Sequence, residues 1–179
     1  MKEKKIILLS CGPFEKQFLE KIARATTTEF NHQVITDECY LDLAPFYHPG
    51  RRQYDGNKLL HYLPECTGRE YDKLIGLFKV DLFIPILTFI FGQAVLNQQT
   101  AIASVYRLRN ELYGLKQDEE LLAERTIREV IHELGHTFGL IHCNNSACVM
   151  RSSTYVEDID QKSRSLCIKC KALIEEKLK

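Results

Sequence analysis

The sequence predicts an α/β fold: a twisted mixed sheet backed by helices, closed by a small cysteine-rich C-terminal segment. Three observations carry this expectation. Short β-branched and aliphatic runs alternate with stretches of helical spacing through the first 110 residues. A long amphipathic stretch follows Asp118. Beyond Cys143 the composition turns polar and too poor in apolar residues to build a core of its own.

The elements are expected in this order. Lys5 to Ser10 reads as a first buried strand. Phe14 to Thr26 carries Phe14, Phe18, Ile22 and Ala25 at helical spacing, with Pro13 suited to a first turn. Gln33 to Leu43 contains a second strand. Ala44 to Asp55, with Pro45, Pro49 and Gly50, reads as a loop. Asn57 to Leu63 is a short helix, and Tyr71 to Gly76 a further helical turn. Leu77 to Leu87 contains a buried strand with Pro85 near its end. Phe89 to Leu108 reads as strand interrupted around Asn97, Gln98 and Gln99. Asp118 is a good N-cap, and Glu119 and Glu120 favour the positive helix end. Ala123, Ile127, Val130, Ile131, Leu134 and Phe138 then form an apolar stripe, with Arg125, Arg128 and Glu129 on another side. Leu166 to Lys179 ends the chain as a helix.

At 179 residues the chain suits one domain, residues 1–179, in which an N-terminal portion spans residues 1–142 and a C-terminal segment spans 143–179. Lys plus Arg and Asp plus Glu both number 24, so no basic excess marks a nucleic-acid partner. The apolar run Ile6 to Leu9 is too short for a secretory signal, and no run spans a bilayer. A cytoplasmic monomer without membrane contact is expected. Seven cysteines, an odd number, fit reduced thiols better than a disulfide framework. Cys11, Cys39 and Cys66 are scattered and are expected to pack as small apolar side chains.

The densest chemistry lies in His132-Glu133-Leu134-Gly135-His136-Thr137-Phe138-Gly139-Leu140-Ile141-His142-Cys143. Residues four apart on a helix lie one above the other, so His132 and His136 can aim two imidazoles at one metal ion. Glu133 is free to act as general base on a metal-bound water. His142 lies six residues past His136, which continued helix would rotate by about 600°, off the ligand face. The helix must therefore stop first, and Gly139 suits the left-handed residue that turns the chain back. Cys143 and Cys148, then Cys167 and Cys170, form two short-spaced pairs suited to a tetrahedral structural zinc.

These motifs resemble the archaemetzincins, zinc-dependent metallopeptidases of the metzincin clan that carry an extra structural zinc. The likeness spans Ile131 to Cys170 and extends more weakly through Asp81 to Pro85, Phe89 to Ala94 and Tyr106 to Arg109. It implies a metzincin-like active-site helix beneath a cleft, two Zn²⁺ per chain, and peptide substrates. One zinc would be catalytic, on His132, His136 and His142. The other would be structural, on Cys143, Cys148, Cys167 and Cys170, and would staple the C-terminal segment. By this resemblance Met150 takes the place of the methionine packed beneath the metal-binding histidines; read without it, Met150 is a core methionine that fills a gap.

Two other readings stand beside peptide hydrolysis. One is a non-catalytic zinc-binding interaction protein, against which the intact Glu133 argues. The other is a zinc hydrolase of non-peptide amides, because the motif specifies the attack chemistry and not the acyl group. Tyr155 has two roles open to it, ordinary packing or a hydroxyl lent to a tetrahedral intermediate. Arg51, Arg52, Arg107 and Arg109 read as solvated surface arginines, with a peptide carboxylate as the alternative partner. Phe89 to Val95 suits either a plain core strand or an edge strand that pairs with an extended substrate.

Overall fold

The computed structural model describes residues 4–177. In chain order it contains β1 (Lys5–Cys11), α1 (Lys16–Phe30), β2 (Gln33–Glu38), β3 (Tyr47–His48), β4 (Gln53–Asp55) and α2 (Gly56–Tyr62). There follow β5 (Lys73–Phe78), β6 (Leu82–Phe83), β7 (Gly92–Ala94), β8 (Thr100–Ser104), α3 (Glu119–Thr137), α4 (Val156–Gln161) and α5 (Ile168–Lys177). The main sheet has the order β2-β1-β5-β8-β7. Its first four strands are parallel, and β7 runs antiparallel to β8 along one edge. A small second sheet joins β3, β4 and β6.

The main sheet is covered on both faces. Ile6 and Leu8 of β1 pack with Ile22 of α1 and with Ile127, Val130 and Leu134 of α3. Ile7 and Leu9 point the other way, onto Leu59 and Leu60 of α2. That two-sided burial explains why β1 is a continuous aliphatic run rather than an alternating one. The C-terminal segment joins the first core layer through Cys148, Val149, Met150, Leu166 and Ile174.

Several elements differ from the sequence reading. The residues 71–76 are not a helical turn: β5 begins at Lys73 and inserts between β1 and β8. Its run Leu74-Ile75-Gly76-Leu77-Phe78 is buried throughout, and periodicity cannot separate such a strand from buried helix. Sheet pairing decides it, and Gly76 lets Leu63 close on the strand: a Cβ there would meet Leu63 Cδ1 at 2.7 Å. The strand expected within residues 77–87 is divided: Leu77 and Phe78 end β5, and Leu82–Phe83 form β6. The loop expected from Ala44 to Asp55 contains a small hairpin, with Tyr47 opposite Tyr54 and His48 opposite Gln53. The first helix starts later than expected and runs on to Phe30, whose ring stacks on Phe138 at 4.9 Å. Core packing at Phe30 outweighs the modest helix propensity of Thr26, Thr27 and Thr28. The last helix begins at Ile168, and the end of the segment expected through Lys179 lies outside the described residues.

Candidate active site and metal centres

The helix α3 starts where its cap predicts. Asp118 Oδ1 accepts from the Leu121 amide at 2.9 Å, and Glu119 and Glu120 occupy the first turn. The helix is anchored all round, not on one stripe. Arg125 is buried and makes a bidentate pair with Asp160, at 2.8 and 2.6 Å, while its Nη1 donates to the Leu108 carbonyl at 2.8 Å. The helix ends as the third histidine requires. Gly139 adopts φ 84°, its amide donates to His136 O at 2.8 Å, and the Leu140 amide donates to Gly135 O at 3.0 Å. The chain thereby reverses and returns His142 to the ligand face.

His132, His136 and His142 converge, with one ligand atom from each lying within 4.8 Å of the others. The Nε2 atoms of His132 and His136 are 3.2 Å apart. Their Nδ1 atoms face the carbonyls of Val149 at 2.8 Å and Leu140 at 2.7 Å. A carbonyl can only accept, so Nδ1–H donates in both and Nε2 keeps its lone pair for a metal. Burial holds all three imidazoles below the usual histidine range, and the nearby Lys162 ammonium adds to this. Met150 is fully buried against Gly135, between the turns that carry His132 and His136. The Cys143 amide donates to the Met150 carbonyl at 2.9 Å, which ties the two centres together.

The cysteines form a second cluster at the start of α5. Cys143 Sγ lies 3.9 Å from Cys167 Sγ, and Cys148 Sγ lies 3.8 Å from Cys170 Sγ. All four sulfurs fall within 4.8 Å of one another. A tetrahedron with zinc–sulfur bonds of about 2.3 Å has sulfur–sulfur edges of about 3.8 Å. Backbone amides of Asn145 and Cys167 donate to Cys143 Sγ at 3.5 Å and Cys148 Sγ at 3.3 Å, as thiolate ligands favour. The Cys167 thiol is held down to about 7, first by the Cys170 backbone amide. Three neutral imidazoles with an open side and four crowded thiols both suit zinc, the first as an open site and the second as a closed one.

Glu133 is buried beside the histidines and outside their ligand set. Its carboxyl is hydrogen-bonded to Glu129, one turn back on the same face. Burial and then the Glu129 charge push the Glu133 carboxyl well above the usual carboxylate range. Lys162, also buried, counters this charge pair; its Nζ donates to Arg151 O at 3.0 Å and stands 3.4 Å from His132 Nδ1. The sequence reading missed Glu129 and Lys162 as members of the site. The four-residue spacing of Glu129 and Glu133 was a usable signal, whereas Lys162 lies 30 positions from His132 and had none.

A cleft of about 520 Å³ runs over these groups, walled by the segment Phe89 to Ala94 on one side and by Ser152 to Tyr155 on the other. Tyr155 is 65% exposed at the rim, so the ordinary packing reading does not hold. Arg107 and Arg51 are engaged. Arg107 grips Asp81 through two contacts of 2.6 Å and lies over the Phe89 ring at 4.1 Å. Arg51 covers Phe83 at 4.3 Å and donates to the Leu87 carbonyl at 2.6 Å. Both brace the segment that leads into β7.

The sequence profile of peptidase family M54 matches residues 42–176. An archaemetzincin from Saccharolobus solfataricus is 36% identical over 179 residues, which covers 98% of this chain and 96% of that protein. The chain belongs to peptidase family M54, the archaemetzincins. An archaemetzincin from Thermococcus kodakarensis is 47% identical over 126 residues, 69% of this chain and 67% of its own length. The crystal structure of the archaemetzincin from Methanopyrus kandleri superposes with a TM-score of 0.85 at 33% identity, covering 98% of this chain and 96% of that one. As an archaemetzincin the chain is a zinc metallopeptidase with a mixed α/β fold. No described helix is long and apolar enough to cross a membrane.

Proposed function

We propose that the chain hydrolyses peptide bonds, with Glu133 as the proton acceptor beside a zinc ion on His132, His136 and His142. A second zinc, on Cys143, Cys148, Cys167 and Cys170, holds the C-terminal segment. The observation that carries this reading is the position of Glu133: buried in the cleft floor, next to three converging imidazoles, and outside their ligand set. Zinc bound there would supply Lewis acidity that polarises a carbonyl and acidifies water, and its charge would oppose the upward shift of Glu133. Glu133 takes the proton of the attacking water and delivers it to the leaving amine. Glu129 and Lys162 orient the Glu133 carboxylate through hydrogen bonding and charge.

The peptide lies extended along the outer edge of β7, the last strand of the sheet, which borders the cleft. Tyr155, exposed on the opposite rim, lends its hydroxyl to the tetrahedral intermediate. The chain acts as a single domain, which the shared core of α3 and the C-terminal segment supports. Its free thiols suit a reducing compartment such as the cytoplasm. A panel of peptides and small amides, incubated with zinc-loaded protein and its Glu133→Ala variant, tests the reading. Peptide cleavage by the parent and not by the variant is expected. Cleavage restricted to non-peptide amides, or none under full zinc loading, overturns it.

A further inference from the structure

Cys11, Cys39 and Cys66 are far apart in sequence and meet in the fold, at the C-terminal end of the parallel strands. Cys11 closes β1, which pairs with β2 in the register Lys5↔Gln33 through Ser10↔Glu38. The Cys39 amide donates to the Ser10 carbonyl at 3.0 Å, which carries the ladder one step further. Cys39 thus stands opposite Cys11, on the same face of the sheet. Neighbouring strands are about 4.8 Å apart, inside the Cα separation of roughly 4.4–6.8 Å that a disulfide bridges. Cys66 arrives independently, at the end of the short 3₁₀ turn that follows α2.

The connectivity of the three thiols is not symmetric. The Cys39 thiol lies close enough to those of Cys11 and Cys66 to interact with both. Cys11 interacts more strongly with Cys39 than with Cys66, and its Sγ donates to the Leu9 carbonyl at 3.8 Å. All three pack into the core layer beneath α2, whereas the four C-terminal cysteines belong to the layer on the opposite face of the sheet. Cys11 and Cys39 are buried, and Cys66 is half-buried.

We propose that Cys39 is the pivot of a redox-active thiol site, separate from both metal centres, that reacts with hydroperoxides and stores the oxidation as a disulfide to either neighbour. The Cys39 thiolate attacks the peroxide O–O bond, forming a sulfenic acid and releasing one water or alcohol. The thiol of Cys11 or Cys66 then attacks that sulfur. A sulfur–sulfur bond forms, and the departing hydroxide takes the thiol proton as water. Two thiols and one hydroperoxide become one disulfide, one water and one alcohol, or two waters when the oxidant is hydrogen peroxide. The local charges suit these roles. The neighbouring Cys11 thiol holds Cys39 down to about 6, which favours Cys39 as the attacking thiol. Burial pushes the Cys66 thiol up to about 12, so it keeps a proton to give. A bridge from Cys39 to Cys66 would close the segment that contains β3, β4 and α2 against the sheet.

The test uses the full zinc-loaded chain, reduced, exposed to hydrogen peroxide at neutral pH, quenched with N-ethylmaleimide and mapped by peptide mass spectrometry. The parent protein is expected to lose two thiols of the trio and to show one disulfide that includes Cys39, reversed by dithiothreitol. Cys39→Ser should form no bridge within the trio. Cys11→Ser should still form Cys39–Cys66, and Cys66→Ser should still form Cys11–Cys39. Circular dichroism melts check that each variant is folded, with Cys39→Ala in place of any Cys39→Ser protein that is not. A Cys11–Cys66 bridge in a Cys39 variant overturns the proposal. So does persistence of all three thiols at peroxide levels that oxidise free cysteine, or oxidation that runs to sulfinic acid at Cys39 without a bridge.

Discussion

Gly92 of β7 lies directly against Glu133 of α3: a methyl group on Gly92 would come within 2.6 Å of Glu133 Cγ and 3.0 Å of Glu129 Oε1. The edge strand that walls the cleft therefore reaches the carboxylate only because it carries no side chain there. Its backbone cannot retreat, since the same methyl would also stand 2.7 Å from the Ile102 carbonyl of β8. The Gly92→Ala variant should lose about 1–3 kcal/mol of stability from overpacking. It should lose up to roughly 10²-fold in kcat/KM, the cost of an ångström of misplacement at a reacting group. Steady-state kinetics at matched zinc content, with a thermal melt, check both. Full activity in a destabilised variant would show that Glu133 is not held by this contact.

Glu133→Gln preserves the shape of the side chain and removes its capacity to accept a proton. Metal content should stay unchanged, because the carboxylate stands outside the histidine cluster. Peptide hydrolysis should fall by on the order of 10²–10⁴. Metal analysis and kinetics on the same preparation separate a chemical defect from a loading defect; a variant that is active at equal zinc occupancy rules the general-base role out.

Removal of one thiol from the cysteine cluster should release one metal. In Cys167→Ser the expected zinc content falls by about one per chain, because metal binding there is coupled to folding. The buried residues Val149, Leu166 and Ile174 then lose their anchor. Limited proteolysis should cut within residues 143–177 before it cuts the sheet. Unchanged zinc content in this variant would reject the structural site.

His32 makes stability depend on pH at a residue outside both the histidine and the cysteine cluster. It is buried, its Nδ1 lies 2.6 Å from the Phe30 carbonyl, and its ring meets Phe138 edge-on at 5.2 Å. Burial holds its imidazole below the ordinary value of 6.5. Below that pH the unfolded chain binds the proton more readily than the folded one, so stability falls as pH drops from 6.5 toward the folded value and is level above it. The difference in unfolding free energy between the parent and His32→Gln should therefore shrink on acidification through this window. Denaturant melts between pH 5 and pH 8 measure it, with the shared contribution of the other histidines cancelling; a difference constant with pH would place the His32 shift elsewhere.

The metal-site spacing was legible because it is local. His132 and His136 are one helical turn apart, and Gly139 turns the chain within the following residues, so the geometry needs no distant contact. The Asp118 cap and the two cysteine pairs are local in the same sense. Strand identity was less legible: the stretch from Lys73 to Phe78 is apolar at nearly every position, and nothing within it separates helix from strand. Its place between β1 and β8 settled the matter.

The sequence by itself determined the α/β class, the helix that carries the histidines, the break after it and the residues able to bind two metals. These follow from propensities, caps and spacings that act over a few residues. Only the tertiary structure decided that Lys162 is buried beside Glu129 and Glu133, that Tyr155 stands exposed on the cleft rim, and that Gly92 presses on Glu133. It alone turned Cys11, Cys39 and Cys66 from scattered thiols into a connected trio. Each of these contacts joins residues far apart in the chain, and such contacts depend on sheet register and on how helices pack across the sheet, which no local spacing encodes.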